Sequence, residues 1–282
     1  MDYTGLQQTV FRLRREDPAW EIIVLGQSLS GRSLYGLETG KGPRKVLFCG
    51  AFHGMEHITS SLLLRYAEDL SKEGRSKTLP CRLTVVPMIN PDGAEIQQKG
   101  SRAAIRCEEL VERCSGGDTY HWQANGRGVD LNHNFDADWK ALRQREEQAG
   151  IVGPAKTRFG GYFPESEPET RALARFCRER QFDLAAAFHS QGEEIYWRYG
   201  KHTSRESEEI VRQMARLSGY RPADPEGLAA GGGFKDWFLD YFHRPAFTIE
   251  VGKGKNPLPE SDLDGIYEKV RPMLDFLTGC PK

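Results

Sequence analysis

Lys45-Val46-Leu47-Phe48-Cys49-Gly50-Ala51 is an apolar run of strand character, and just beyond it stand His53-Gly54-Met55-Glu56. An apolar run of this kind is a strand signal. Open α/β sheets build their sites at the carboxyl ends of such strands. The arrangement recurs twice: Leu184-Ala185-Ala186-Ala187-Phe188 leads to His189, and Arg244-Pro245-Ala246-Phe247-Thr248-Ile249 leads to Glu250. Three strand ends therefore bring together two imidazoles and two carboxylates. His53, Glu56 and His189 make the three-ligand set of an open zinc site, in which the fourth position is left to water and the pKa of that water falls to about 7. Glu250, the acid in an otherwise apolar run, is a separate general base. One Zn2+ per chain and hydrolytic chemistry are the expectations.

Two further segments extend the pattern. Ile89-Asn90-Pro91-Asp92-Gly93 follows the apolar stretch Leu83 to Met88, and Asn125-Gly126-Arg127-Gly128-Val129-Asp130-Leu131-Asn132-His133-Asn134-Phe135 lies beyond it. With these the chain resembles the zinc carboxypeptidases of the carboxypeptidase A kind. The resemblance spans Tyr35 to Leu277 and keeps the family order: His-x-x-Glu, Asn-Pro-Asp-Gly, Gly-Val-Asp-Leu-Asn-x-Asn, a third His, the pair Asp236-Trp237 and the final Glu. Within the family the sequence is most similar to the bacterial γ-D-glutamyl-L-diamino acid peptidases, which cut the isopeptide bond of cell-wall stem peptides. The stretches Asp130 to Phe135, Phe188 to Trp197 and Gly231 to Phe238 carry that likeness. It implies an α/β fold with a central mixed twisted sheet flanked by helices on both faces. Residues 1–282 are expected to form one peptidase domain without a propeptide or cell-wall-binding module.

The resemblance also implies roles for individual residues. Family enzymes stabilise the oxyanion with an arginine, for which Arg127 is the candidate and Gln123 the alternative occupant. Asn132 and the next residue normally form an Asn-Arg clamp for a terminal carboxylate, but here the second position is His133. An imidazole cannot offer the two parallel donors of an arginine fork. The tyrosine that many members place before the Asp-Trp pair is Leu228. Both departures point away from plain C-terminal trimming. Lys235, just before Asp236-Trp237, corresponds to the base of the specificity pocket, where a basic residue selects acidic groups such as the D-glutamate and diaminopimelate carboxylates of a stem peptide. Tyr196, Trp197 and Arg198 follow the third ligand and either line the cleft or pack in the core. His57, His121, His202 and His243 read as structural or surface residues.

The expected activity is zinc-dependent hydrolysis of the γ-D-glutamyl-meso-diaminopimelate bond of peptidoglycan, in cell-wall recycling or sporulation. A conventional metallocarboxypeptidase or deglutamylase is the alternative enzyme. A non-catalytic muropeptide-binding protein is the alternative of another class, disfavoured because a binder has no need of Glu250.

Composition narrows the partners. Lys and Arg number 39 against 40 Asp and Glu, a net charge of -1, so there is no basic field for nucleic acid or an anionic membrane. A peptide or muropeptide substrate and a monomer are expected. No run of about 18 apolar residues occurs, and Met1 to Val10 lacks a signal-peptide pattern, which suggests a cytoplasmic location. Six cysteines without a Cys-x-x-Cys pair fit free thiols in a reducing compartment, with a Cys107 to Cys114 bridge left open.

Strands are expected over Trp20 to Leu25, Leu34 to Thr39, Lys45 to Ala51 and Arg82 to Met88, with a hairpin turn near Ser30-Gly31-Arg32. Helices are expected over Glu56 to Ser71, Glu167 to Glu179, Glu206 to Leu217, Phe234 to Phe242 and Leu263 to Leu277. Gln98 to Trp122 and Lys140 to Pro164 read as irregular connections that wall the cleft.

Overall fold

In the computed structural model, which describes residues 1–200 and 203–279, eight strands form one mixed sheet. They are β1 (Glu21–Gln27), β2 (Ser33–Thr39), β3 (Arg44–Gly50), β4 (Cys81–Val86), β5 (Leu184–His189), β6 (Glu194–Tyr196), β7 (Arg221–Ala223) and β8 (Ala246–Glu250). Their spatial order is β1-β2-β4-β3-β5-β8-β6-β7. The central strands β4, β3, β5 and β8 are parallel, and antiparallel pairing begins outside them at β2 and β6.

Nine α-helices cover the sheet among the described residues: α1 (Tyr3–Glu16), α2 (Ile58–Lys72), α3 (Pro91–Lys99), α4 (Glu108–Ser115), α5 (Trp139–Gln148), α6 (Pro168–Arg180), α7 (Arg205–Ser218), α8 (Phe234–Phe242) and α9 (Leu263–Leu277). Strand side chains alternate between two faces, and the two cores follow that alternation. Val46, Phe48, Leu184, Ala186, Phe188, Phe247 and Ile249 pack with α1, α2, α7 and α9. Leu47, Cys49, Ala185, Ala187 and Ala246 pack with α6 and α8. Burial on both faces is why these strands read as continuous apolar runs rather than as alternating ones.

The expected helices and strands appear within a few residues of their sequence bounds. Glu56 itself belongs to a 3-10 turn, Gly54–Glu56, ahead of α2. The two segments expected to be irregular are not: the first contains a 3-10 stretch, Ser101–Cys107, and α4, and the second contains most of α5. Helix α5 buries Leu142 together with Arg143 and Glu146, so no apolar stripe announces it. Cys107 and Cys114 form no disulfide, so the bridge left open is absent. His202 and Cys280 lie outside the described residues. Among the described residues no helix is long and apolar enough to cross a membrane.

Beneath the β1-β2 hairpin lie three buried acids, Asp92, Glu167 and Glu169. Asp92 is paired with Arg32 at 2.5 Å, and Glu167 with Arg127 at 3.1 Å. Burial, then the charge of Asp92 and that of Glu167, pushes the Glu169 carboxyl up to about 8. The folded protein therefore holds a proton that the unfolded chain releases near pH 4.3, and stability falls as pH rises from there to about 8. Glu169→Gln is expected to stabilise the fold by about 2–4 kcal/mol near pH 9, with a much smaller gain near pH 4.5. Urea midpoints at both pH values measure this, and equal gains at both would count against a buried, protonated Glu169.

Candidate active site

The parallel register places the functional side chains. Gly50 of β3 lies beside Phe188 of β5, and His189 beside Glu250 of β8. His53 and His189 thus leave the sheet at one edge, with Glu250 alongside. Between β3 and the metal candidates the chain turns sharply: Ala51 has φ 46°, and its N–H donates to Thr59 Oγ1 at 2.8 Å. Asn90 splints this turn. Its N–H donates to Ala51 O at 2.9 Å, and its Nδ2 donates to Phe52 O at 3.0 Å and Gln123 O at 3.1 Å. Gly54 and Gly93 are required where the two segments touch, because a Cβ on Gly54 would lie 2.3 Å from Gly93 O.

His53, Glu56 and His189 offer ligand atoms that all lie within 4.8 Å of one another. Glu56 bridges the imidazoles, with Oε1 2.9 Å from His53 Nδ1 and Oε2 3.0 Å from His189 Nδ1. His53 Nε2 lies 3.0 Å from Asp130 Oδ1. Asp130 fixes the proton on Nε2 and thereby turns the Nδ1 lone pair toward Glu56, the arrangement typical of metal-bound histidine. A lone pair and a carboxylate oxygen at 2.9 Å repel each other unless a proton or a cation lies between them. Nitrogen and carboxylate donors in this number suit zinc.

The electrostatics fit the same demand. Burial works against a charged His53, but Glu56 and Asp130 overcome it and hold the imidazole well above its ordinary pKa. Burial likewise opposes the Glu56 charge, yet His53 and His189 bring its carboxyl down to about 2. Asp130 is held below the usual carboxylate range against its burial, chiefly by His53 and His133. Glu250 goes the other way: burial and the charge of Glu56 raise it well above the usual value, with His53 opposing. Among the described residues no hydrogen bond reaches the Glu250 carboxylate.

A cavity of about 160 Å3 opens over this group, and His53, His189 and Glu250 line it. One wall comes from the 3-10 turn Leu131–His133 (Asn132, His133), the 3-10 turn Gly227–Ala229 (Leu228) and the start of α8 (Gly233, Lys235, Asp236). Asn132 Oδ1 accepts from Phe234 N at 3.0 Å, which leaves its NH2 for a ligand. His133 Nδ1 lies 2.7 Å from the buried Glu146 carboxylate, itself paired with Arg143. Lys235 is only 4% exposed; it donates to Arg198 O at 2.6 Å and pairs with Asp236. With two of its three donors taken, it is a fixed cation that keeps one N–H for a ligand. Of the aromatic run after β5, only Tyr196 lines the cavity, whereas Trp197 packs in the core and Arg198 lies over its ring.

The structure does not bring Arg127 to the cavity. Its turn leads the side chain back to α6, where Nε donates to Glu167 at 3.1 Å, and Gln123 occupies the wall instead. Gln123 is held by a strap running from Lys156 to Arg158. Lys156 O accepts from the N–H of Gln123 at 3.0 Å and of Ala124 at 3.1 Å, and Thr157 donates to Gln123 Oε1.

Comparison with known proteins agrees with this chemistry. A profile of the zinc carboxypeptidase family matches residues 8–272. The chain belongs to the zinc carboxypeptidase family. It is 31% identical to gamma-D-glutamyl-L-diamino acid endopeptidase 1 of Lysinibacillus sphaericus, over 95% of this chain and 70% of that one. Its fold matches bovine thrombin-activatable fibrinolysis inhibitor in complex with tick carboxypeptidase inhibitor, with TM-score 0.79, 21% identity and coverage of 99% and 96% of the two chains. It also matches murein-tripeptide amidase from Escherichia coli O157, with TM-score 0.61, 22% identity and 93% of each chain covered.

For a zinc carboxypeptidase-family chain, two site residues escape sequence reasoning. Asp130 orients a metal candidate, and its place two residues before Asn132 in an unbroken motif was the available signal. Arg158 lines the cavity from a loop without periodicity, and nothing in the sequence marks it.

Proposed function

We propose that the protein hydrolyses the γ-D-glutamyl-meso-diaminopimelate bond of peptidoglycan stem peptides. The observation that most supports this is the wall beside the catalytic group. Where a carboxypeptidase clamp needs an arginine fork, His133 is tied to Glu146, and Leu228 lines the cavity. The likeness to a γ-D-glutamyl-L-diamino acid endopeptidase over 95% of the chain supports the same bond.

Zinc, when bound by His53, Glu56 and His189, supplies Lewis acidity and a water of lowered pKa. Glu250 takes the proton of the attacking water and returns it to the leaving diaminopimelate amine. Gln123, whose Oε1 is occupied by Thr157, presents its NH2 to the developing oxyanion in the role expected of Arg127. Asn132 and Lys235 receive carboxylates of the diaminopimelate side. Residues 1–282 are taken as one monomeric peptidase unit acting on muropeptides in the cytoplasm.

Incubation with L-Ala-γ-D-Glu-diaminopimelate and with a hippuryl C-terminal substrate, with products read by mass spectrometry, tests the proposal. Cleavage of the hippuryl substrate alone would replace it with a conventional carboxypeptidase. Lys235→Met should cost about 1.5–3 kcal/mol more in kcat/KM on the free stem peptide than on one with amidated diaminopimelate carboxylates. Equal losses on the two peptides would confine Lys235 to pairing Asp236.

A further inference from the structure

The basic side chains around the cavity differ in what they already hold. Lys235 is paired with Asp236, and His133 with Glu146. Arg158 is exposed and lines the cavity, and among the described residues its guanidinium has no hydrogen bond or ion pair. Its backbone, by contrast, is tightly held. Arg158 adopts φ 65°, uncommon for a residue with a side chain, and its N–H donates to Asp130 Oδ2 at 3.0 Å. The other oxygen of Asp130 holds His53. One carboxylate thus fixes both a metal candidate and the backbone of the arginine, so the side chain starts from a point anchored relative to the reacting centre while its guanidinium stays unpaired.

We infer that Arg158 binds a substrate carboxylate, that of the residue donating the scissile carbonyl. The strap decides the side. Thr157 holds Gln123, the donor assigned to the scissile carbonyl, and Arg158 is the next residue. Asn132 and Lys235 belong instead to the wall built with α8, where Phe234 N ties Asn132. A γ-linked glutamyl residue carries its free α-carboxylate a short aliphatic stem from the scissile carbonyl, within an arginine's reach. A planar guanidinium suits that carboxylate through two parallel hydrogen bonds. This rests on the γ-glutamyl reading above.

The test uses zinc-loaded Glu250→Gln protein, with Arg158 intact or as Arg158→Ala, and calorimetric titration of L-Ala-γ-D-Glu-diaminopimelate and its D-glutamate α-amide. With Arg158 intact, the acid should bind about 10- to 100-fold tighter than the amide, the scale of a charge-assisted bidentate pair. Arg158→Ala should bring that ratio to near one, and Arg158→Lys should restore part of it. In protein with Glu250 intact, Arg158→Ala should act on the acid mainly through KM. An unchanged acid-to-amide ratio, no measurable binding of the acid, or a loss confined to kcat would each overturn the assignment. Turnover is scored separately: if neither peptide is cleaved while the ratio depends on Arg158, the γ-glutamyl reading fails and the carboxylate site stands.

Discussion

Glu250→Gln should lower kcat by at least about 100-fold while one zinc ion per chain remains bound, the loss expected when a positioned general base is removed. Glu250 sits beside His189 in the β5-β8 register and lines the cavity, but it is not one of the residues whose ligand atoms cluster. The variant should therefore separate proton transfer from metal binding. Burial and Glu56 already disfavour the Glu250 charge, so replacing it with a neutral amide should leave thermal stability unchanged or improve it. A catalytic acid held against its own stability is common at functional sites. Kinetics on the stem peptide, elemental analysis and a melting curve check the three parts. Near wild-type turnover with metal retained would refute the role of Glu250, and loss of zinc would make it a ligand.

The metal group and the base are legible in the sequence because each follows an apolar strand. His53, His189 and Glu250 come at the ends of β3, β5 and β8, and a strand buried on both faces writes a contiguous apolar signal. What closes over them is not legible in the same way. Helix α5 buries Arg143 and Glu146 in a network with His133, so it carries no amphipathic period. Helix α4 buries only Val111 and Ser115. Helix α1 does carry the signal, with Leu6, Val10 and Leu13 buried at helical spacing. The choice between Arg127 and Gln123 depends on the strap from Lys156 to Arg158. Main-chain hydrogen bonds close that strap, and those are invisible to side-chain pattern. Sequence proximity to the Asp-Leu-Asn segment favours Arg127, but the turn at Asn125 sends it to Glu167.

Removal of the metal should abolish turnover, and its return should show a pH dependence set by His53. One zinc per chain is expected by elemental analysis, with ligand bonds of about 2.0–2.2 Å in a crystal of the loaded protein. In the metal-free protein Glu56 and Asp130 hold the His53 proton well above the ordinary imidazole value. Its pairing contributes stability that is fully present below about pH 6.5 and is lost as pH rises through the raised folded value. Zinc competes with that proton. Within the window its apparent affinity should therefore tighten with pH, by about tenfold per unit for one displaced proton. Competition with a chromogenic chelator near pH 6.5 and near pH 7.5 measures this. The increment in melting temperature from added zinc should grow in the same direction, because a ligand of the native state stabilises in proportion to its occupancy. His189→Ala deletes one of the three clustered ligands and should lose both the zinc and the increment. Protein that holds no zinc, or holds it equally well without His189, would remove the basis for a hydrolytic site at this strand edge.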